Sequence, residues 1–236
     1  MKIPEVDVNL WNKYKVRFTP HPDVNIIVGI NGSGKTTLLS EIEKALPKGT
    51  YIYVPSIDNL VTRDKRKKET ALSQDLDSYI YDMKTGPSLM YYRMSMLDAS
   101  PDKQARVKER LASFCDVVNS LFKDTGKQIE IEGNKFIINS NGTLLSSNYL
   151  SSGEKQILLL LLRVFLLDEK ESVVLIDEPE NSLDISWQYK LIDILTRLNP
   201  NAQFFITTHS PSIFGNGWGD KIIYMEDVTT KIEKDV

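Results

Sequence analysis

Asn25-Ile26-Ile27-Val28-Gly29-Ile30-Asn31-Gly32-Ser33-Gly34-Lys35-Thr36 decides how the rest of the chain is read. Asn25 to Gly29 reads as a strand. A glycine-rich turn follows, then a helix from about Lys35 to Leu46, closed by Pro47 and Gly49. Gly29, Gly34, Lys35 and Thr36 match G-x-x-x-x-G-K-[ST] at every fixed position. Glycines let the backbone curl, so that the N–H groups of Asn31, Gly32, Ser33 and their neighbours turn toward phosphate oxygens. The helix beginning at Lys35, Thr36 and Thr37 sets its positive end against the same charge. Lys35 is placed to reach the β and γ phosphates, and the Thr36 hydroxyl to ligate Mg²⁺.

Working outward, Asp7 to Phe18 alternates weakly and supplies an edge strand, and Tyr51 to Pro55 is a strand with a proline stop. About 58–124 reads as a helical insertion, with Val107, Leu111, Phe114 and Val118 at helical spacing. Gln128 to Asn148 reads as a β hairpin, with Gly133-Asn134 and Asn141-Gly142 as turn signals. Gly153 to Leu167 is a buried helix, and Ser172 to Asp177 a continuous apolar strand of the buried parallel kind. A helix over about Ile185 to Leu198, a strand over Gln203 to Thr208 and a last strand over Ile222 to Glu226 complete the chain. This alternation implies an α/β fold with a mostly parallel sheet, an antiparallel β edge and one helical insertion, read as a single domain over 1–236.

A phosphate cradle alone does not hydrolyse; it needs a metal-side aspartate and a group that orients water. Val173-Val174-Leu175-Ile176-Asp177-Glu178 supplies both at the end of a buried strand. Asp177 is the expected metal carboxylate, and Glu178 the expected general base. Strand carboxyl ends are where ligands bind in such sheets.

Further motifs resemble those of the ABC superfamily of ATPases. Leu150-Ser151-Ser152-Gly153-Glu154-Lys155-Gln156 resembles its signature, Asp177-Glu178-Pro179-Glu180-Asn181-Ser182-Leu183-Asp184 its Walker B motif and D-loop, and Thr207-Thr208-His209-Ser210-Pro211 its switch-histidine motif. They occur in the superfamily's order. Glu-Pro-Glu-Asn with Thr-His-Ser-Pro is most similar to the non-transporter branch of chromosome maintenance, DNA repair and phage defence. The resemblance implies a P-loop ABC ATPase head that binds ATP and Mg²⁺ and works as an ATP-dependent head-to-tail homodimer. In it, Ser151, Gly153 and Glu154 of one copy close over the nucleotide of the other, and His209 senses the γ phosphate. It also implies a separate effector protein, such as a nuclease. Ser152 departs from the usual glycine and puts a side chain where backbone meets phosphate. Read without the resemblance, Ser151 is an ordinary helix cap with Glu154 in the first turn, and both readings can hold at once. A transporter subunit and a slow ATP-gated switch remain the alternatives.

Composition narrows the field. A net charge of -3 over 236 residues excludes a chain that is basic throughout, leaving only local contact with nucleic acid. The one basic run, Arg63 to Lys68, reads as a solvated face in preference to a nucleic-acid contact. The single cysteine, Cys115, excludes an intrachain disulfide and fits a reducing compartment. The start, MKIPEVDVNL, does not read as a leader. Ile157 to Leu167 contains Arg163 and is too short to span a bilayer, so the expected location is the cytoplasm, with no membrane contact. His21 reads as a surface-loop residue and Trp218 as exposed. Gln74 is the one candidate for the Q-loop glutamine. Trp11 and Tyr14 are candidates to stack on adenine, with core packing the preferred reading of both.

Overall fold

The computed structural model describes residues 1–56, 71–84 and 86–232. The chain forms two compact units, one of Met1–Asn59 with Glu169–Val236, the other Leu60–Asp168.

The first unit opens with β1 (Val6–Leu10) and β2 (Tyr14–Phe18), an antiparallel hairpin. It continues through β3 (Val24–Val28), α1 (Lys35–Ala45) and β4 (Tyr51–Val54). The expected single edge strand over Asp7 to Phe18 is thus two strands, because Trp11 and Asn12 both adopt positive φ (52° and 55°) and reverse the chain.

The second unit holds α2 (Ala71–Tyr81), α3 (Leu89–Met94) and α4 (Pro101–Phe122), then β5 (Lys127–Glu132), β6 (Lys135–Ser140), β7 (Thr143–Leu145) and α5 (Ser152–Phe165). The strands form an antiparallel meander of three and not one hairpin, because Asn141-Gly142 closes a second turn with φ of 51° and 84°. α4 buries Val107, Leu111, Phe114 and Val118 as its spacing requires, and Asn119 ties it to β5 by bonding both the N–H and the C=O of Ile129. In α5, Ile157 to Leu162 are all buried, so this helix is apolar on every side. The basic run Arg63 to Lys68 lies outside the described residues.

Back in the first unit come β8 (Val173–Asp177), α6 (Ile185–Gln188), α7 (Leu191–Leu198) and β9 (Gln203–Thr208). α8 (Pro211–Phe214), β10 (Ile222–Tyr224), α9 (Met225–Val228) and β11 (Thr229–Lys231) end it. The expected helix over Ile185 to Leu198 is two. At the break, the Lys190 N–H bonds the Trp187 carbonyl three residues back, which tightens the turn and redirects the chain. Ile222 to Glu226 is not the last strand: β10 stops at Tyr224, and β11 returns to pair with β2.

A five-stranded sheet in the order β10-β3-β9-β8-β4 is parallel throughout. β9 lies between β3 and β8 with every residue buried. Leu38, Leu39 and Ile42 of α1 share one core with Val6, Leu10 and Val16 of the hairpin and with Ile27, Leu175 and Phe205 of the parallel sheet. α1 is therefore held on both sides, which fixes the turn before it. The register pairs Val28 with Thr208 and Asp177 with Thr207. That alignment brings the segments that follow β3, β8 and β9 to one sheet edge, where ligands of open α/β sheets bind.

Candidate functional site

The turn between β3 and α1 has an amino end that no side chain caps. Gly34 is the N-cap of α1 at φ 95°, and no side chain of the unit bonds there. A Cβ at Gly34 would lie 2.9 Å from Trp11 Cη2 and 3.0 Å from Leu10 Cδ1, so conformation and space both demand glycine. Lys35 is 4% exposed, and its Nζ donates to the Gly29 carbonyl at 2.9 Å. The Lys35 ammonium lies 3.6 Å from Glu178 Oε1.

Thr36 Oγ1 donates to the Asp177 carboxylate, 2.9 Å from Oδ2. Asp177 is 2% exposed and also accepts from Thr207 Oγ1 at 2.6 Å. A hydroxyl and a carboxylate beside a phosphate turn are the hard oxygen donors that Mg²⁺ takes together with substrate phosphates, so the residues fit that ion. Among the described residues no group of three or more His, Cys, Asp or Glu side chains is arranged to hold a metal by itself. Burial pushes the Tyr53 phenol up to about 12, with the negative charges of Asp177 and Glu43 adding to it. Tyr53 is thus a neutral neighbour of the acidic pair, and its sequence context as a plain strand residue gave no signal of this.

Glu178 has φ 45°, a conformation uncommon for a residue with a side chain. Its N–H donates to the Thr207 carbonyl at 3.1 Å, which holds this backbone conformation in place. His209, half-exposed, places Nδ1 at 3.8 Å from Glu178 Oε1 and 3.2 Å from Glu180 Oε1. Asn31, Gly32, Gly34, Lys35, Thr36, Thr37, Glu178, Asn181 and His209, with Trp11, line one open cavity of about 390 Å³. Asn181 was not singled out by sequence, although it lies in the quoted acidic motif; its Nδ2 donates to Ser56 Oγ.

Gly29 and Ser33 line an adjoining, more apolar pocket of about 620 Å³ with Leu10, Trp11, Tyr14, Tyr224, Met225 and Thr229. Core packing of Trp11 and Tyr14 is corrected here: they are 52% and 37% exposed and meet edge to face at the pocket wall. The positive φ of Trp11 at the hairpin turn lifts the indole out of the core. Ser33 Oγ and Thr229 Oγ1 are buried in this wall without hydrogen-bond partners among the described residues.

Ser151, Gly153 and Glu154 lie in the second unit, at the start of α5. Ser151 Oγ accepts from the Glu154 N–H at 3.2 Å, and Glu154 Oε2 accepts from the Ser151 N–H at 2.7 Å, a complete capping box. Glu154 is 1% exposed and takes Lys127 Nζ on both oxygens at 2.8 Å. Burial pushes its carboxyl up, but the bonds from Lys127, the Ser151 N–H and Thr125 prevail and hold it below its ordinary value. A committed carboxylate is also the wrong sign for a phosphate, and the Glu154 N–H is already given to Ser151 Oγ. Gln74 is exposed on α2, in the second unit and not in the unit that carries the phosphate turn. Trp218 is half-buried, its Nε1 donating to Asp193, and His21 is half-buried with its backbone bonded to Asn25 and Gln203.

A family described as "AAA domain, putative AbiEii toxin, Type IV TA system" matches residues 58–215. That span begins after the phosphate turn, so the match and the turn are independent observations. The chain is similar to the "Retron Ec83 probable ATPase" of Escherichia coli, 39% identical over 88 residues, covering 33% of this chain and 16% of that protein. It is similar to a "Putative ABC transporter ATP-binding protein" of Mycoplasma genitalium, 26% identical over 229 residues, 90% of this chain and 35% of that protein. The chain thus spans well under half the length of these relatives. Among solved structures, an Smc head bound to the C-winged helix domain of ScpA superposes with a TM-score of 0.53 at 14% identity, over 93% of this chain and 95% of that one. That likeness shows the ABC-type head fold. No described helix is long and apolar enough to cross a membrane.

Proposed function

The chain belongs to the AAA domain family matched over residues 58–215, in the non-transporter branch of ABC-type ATPases, and on that premise we propose that it binds and hydrolyses Mg-ATP. One observation carries the proposal: Lys35, Thr36, Glu178 and His209 face a single cavity at the end of the parallel sheet. The backbone of Asn31 to Gly34 and the amino end of α1 hold the phosphates. Lys35 pairs with their charge, and Thr36 with Asp177 would hold the metal ion. Bound there, Mg²⁺ supplies charge neutralisation on the phosphate oxygens. Glu178 accepts a proton from the attacking water; the water oxygen bonds the γ phosphorus while the bond to the β-γ bridging oxygen breaks, giving ADP and inorganic phosphate. His209 contacts the γ phosphate, and the base and sugar lie in the pocket walled by Trp11 and Tyr14.

The two units together act as one ABC-type head over 1–236, with the helical insertion at about 58–124. Two heads close head to tail on ATP, Ser151 and the Gly153 backbone of one copy meeting the γ phosphate held by the other. Hydrolysis removes these contacts, and the separation does conformational work on a separate effector such as a nuclease. The retron likeness supports a setting in antiviral defence.

Glu178→Gln tests the chemistry. Phosphate release is expected to fall at least about 100-fold, with ATP affinity by calorimetry within about threefold of the original. Unchanged turnover would contradict the assignment of the base.

A further inference from the structure

We propose that Glu180 is a positioning residue for His209: its buried carboxylate holds the imidazole with the proton on Nδ1, leaving Nε2 to the phosphate cavity. The proposal rests on the reading of His209 as a group that faces the γ phosphate.

Glu180 is 6% exposed. Its Oε1 accepts from Thr208 Oγ1 at 2.7 Å and from the His209 N–H at 2.8 Å, and lies 3.2 Å from His209 Nδ1. Its Oε2 is buried and has no donor among the described residues. A buried carboxylate left half-bonded is costly unless a donor or positive group faces it. The His209 imidazole is the positive-capable group beside this carboxylate, its Nδ1 3.2 Å from the other oxygen, Oε1. Glu178 competes for the same nitrogen from 3.8 Å, but is itself shared with Lys35 and is less buried. In imidazoles, the partner of one ring nitrogen decides the state of the other.

The bridge is pinned from behind as well. Gln188 Nε2 donates to the Glu180 carbonyl at 3.4 Å, Gln188 Oε1 accepts from Ser210 Oγ at 2.7 Å, and the Ser210 N–H returns to Thr208 Oγ1 at 3.0 Å. The segment after β8 and the segment after β9 are thereby locked together around the Glu180–His209 pair. With Nδ1 drawn to Glu180 in this way, Nε2 is left to meet phosphate and Glu178 to meet water.

The chain has two histidines, so ¹⁵N spectra of the labelled full-length protein without nucleotide resolve His209 once His21→Gln assigns the other. At about pH 8 the wild-type ring is expected to show a protonated Nδ1 and an unprotonated Nε2. Glu180→Gln keeps an oxygen for Thr208 and for the His209 N–H but removes the charge. It is expected to shift the proton toward Nε2 and to lower kcat by about tenfold, with KM for ATP within about twofold. A wild-type His209 protonated at Nε2 overturns the proposal without any variant. A Glu180→Gln protein that loses turnover with its tautomer unchanged also overturns it, and makes Glu180 a loop clamp. A tautomer shift in a protein without ATPase activity upholds the positioning and sinks the hydrolytic reading instead.

Discussion

α1 and α5 both begin at a turn of small residues, yet their amino ends are finished in opposite ways. At α1 the cap is Gly34 and has no side-chain cap bond, no acidic residue stands in the first turn, and the first residue is a buried lysine. At α5 the cap is Ser151, a capping box is closed, and the buried Glu154 is clasped by Lys127. Every helix start has backbone donors to satisfy. Where the chain's own side chains do so, the helix gains stability and has less to offer a ligand. Where they do not, the donors and the nearby cation suit an anion. The contrast explains why α1 reads as a phosphate site from one copy of the chain, and why the role proposed for α5 requires a second copy to bring a phosphate to the N–H groups of Ser152 and Gly153.

The largest expected effect attacks the open end. Lys35→Ala removes the cation of the cradle, and nucleotide affinity by calorimetry is expected to fall at least about 100-fold, as loss of a charge-assisted phosphate contact of about 3 kcal/mol requires. An unaltered affinity would mean that α1 is not the phosphate end.

Next, Ser151→Arg places a long cation where a second copy's nucleotide is to sit. Turnover is expected to drop by more than about tenfold, while ATP affinity at protein concentrations too low for dimers is unchanged. Equal loss of both would remove the distinction between the two helix ends.

A smaller effect sharpens the comparison from the satisfied end. Lys127→Met leaves the Glu154 carboxylate buried without its cation, expected to cost about 1–3 kcal/mol at neutral pH in urea melts. The Glu154 carboxyl is held below its ordinary value, so its stabilisation is present above the unfolded-state value and is lost as pH falls through the folded one. The variant is expected to flatten that acid-side loss; an unaltered pH profile would show that the clasp contributes nothing.

The smallest concerns the indole that abuts Gly34. Trp11→Ala is expected to weaken nucleotide binding by about fivefold to tenfold, about 1 kcal/mol of stacking, without altering the melting midpoint.

Much of this was legible in the sequence, for a physical reason. A phosphate turn needs glycines and a lysine at fixed spacing, and a buried parallel strand needs an unbroken apolar run. Gly29 to Thr36 and Val173 to Glu178 therefore announce themselves. The capping box at Ser151 and Glu154 is equally local. What escaped depends on contacts far along the chain or on single backbone angles. Trp11 and Tyr14 have core-like side chains, and only the turn at Trp11 and Asn12 sends them to the pocket wall. Glu180 and Asn181 stand inside a motif that was read, but their partners, Thr208 at the end of β9 and Ser56 just after β4, lie far along the chain. The break between α6 and α7 has no glycine or proline to mark it.

Light scattering on the Glu178→Gln protein, with and without Mg-ATP, tests the central claim most directly. ATP is expected to convert monomer to dimer, and Ser151→Arg in the same background to prevent it while ATP still binds. A protein that binds ATP and keeps the same mass with or without it would contradict closure of two heads on shared nucleotide.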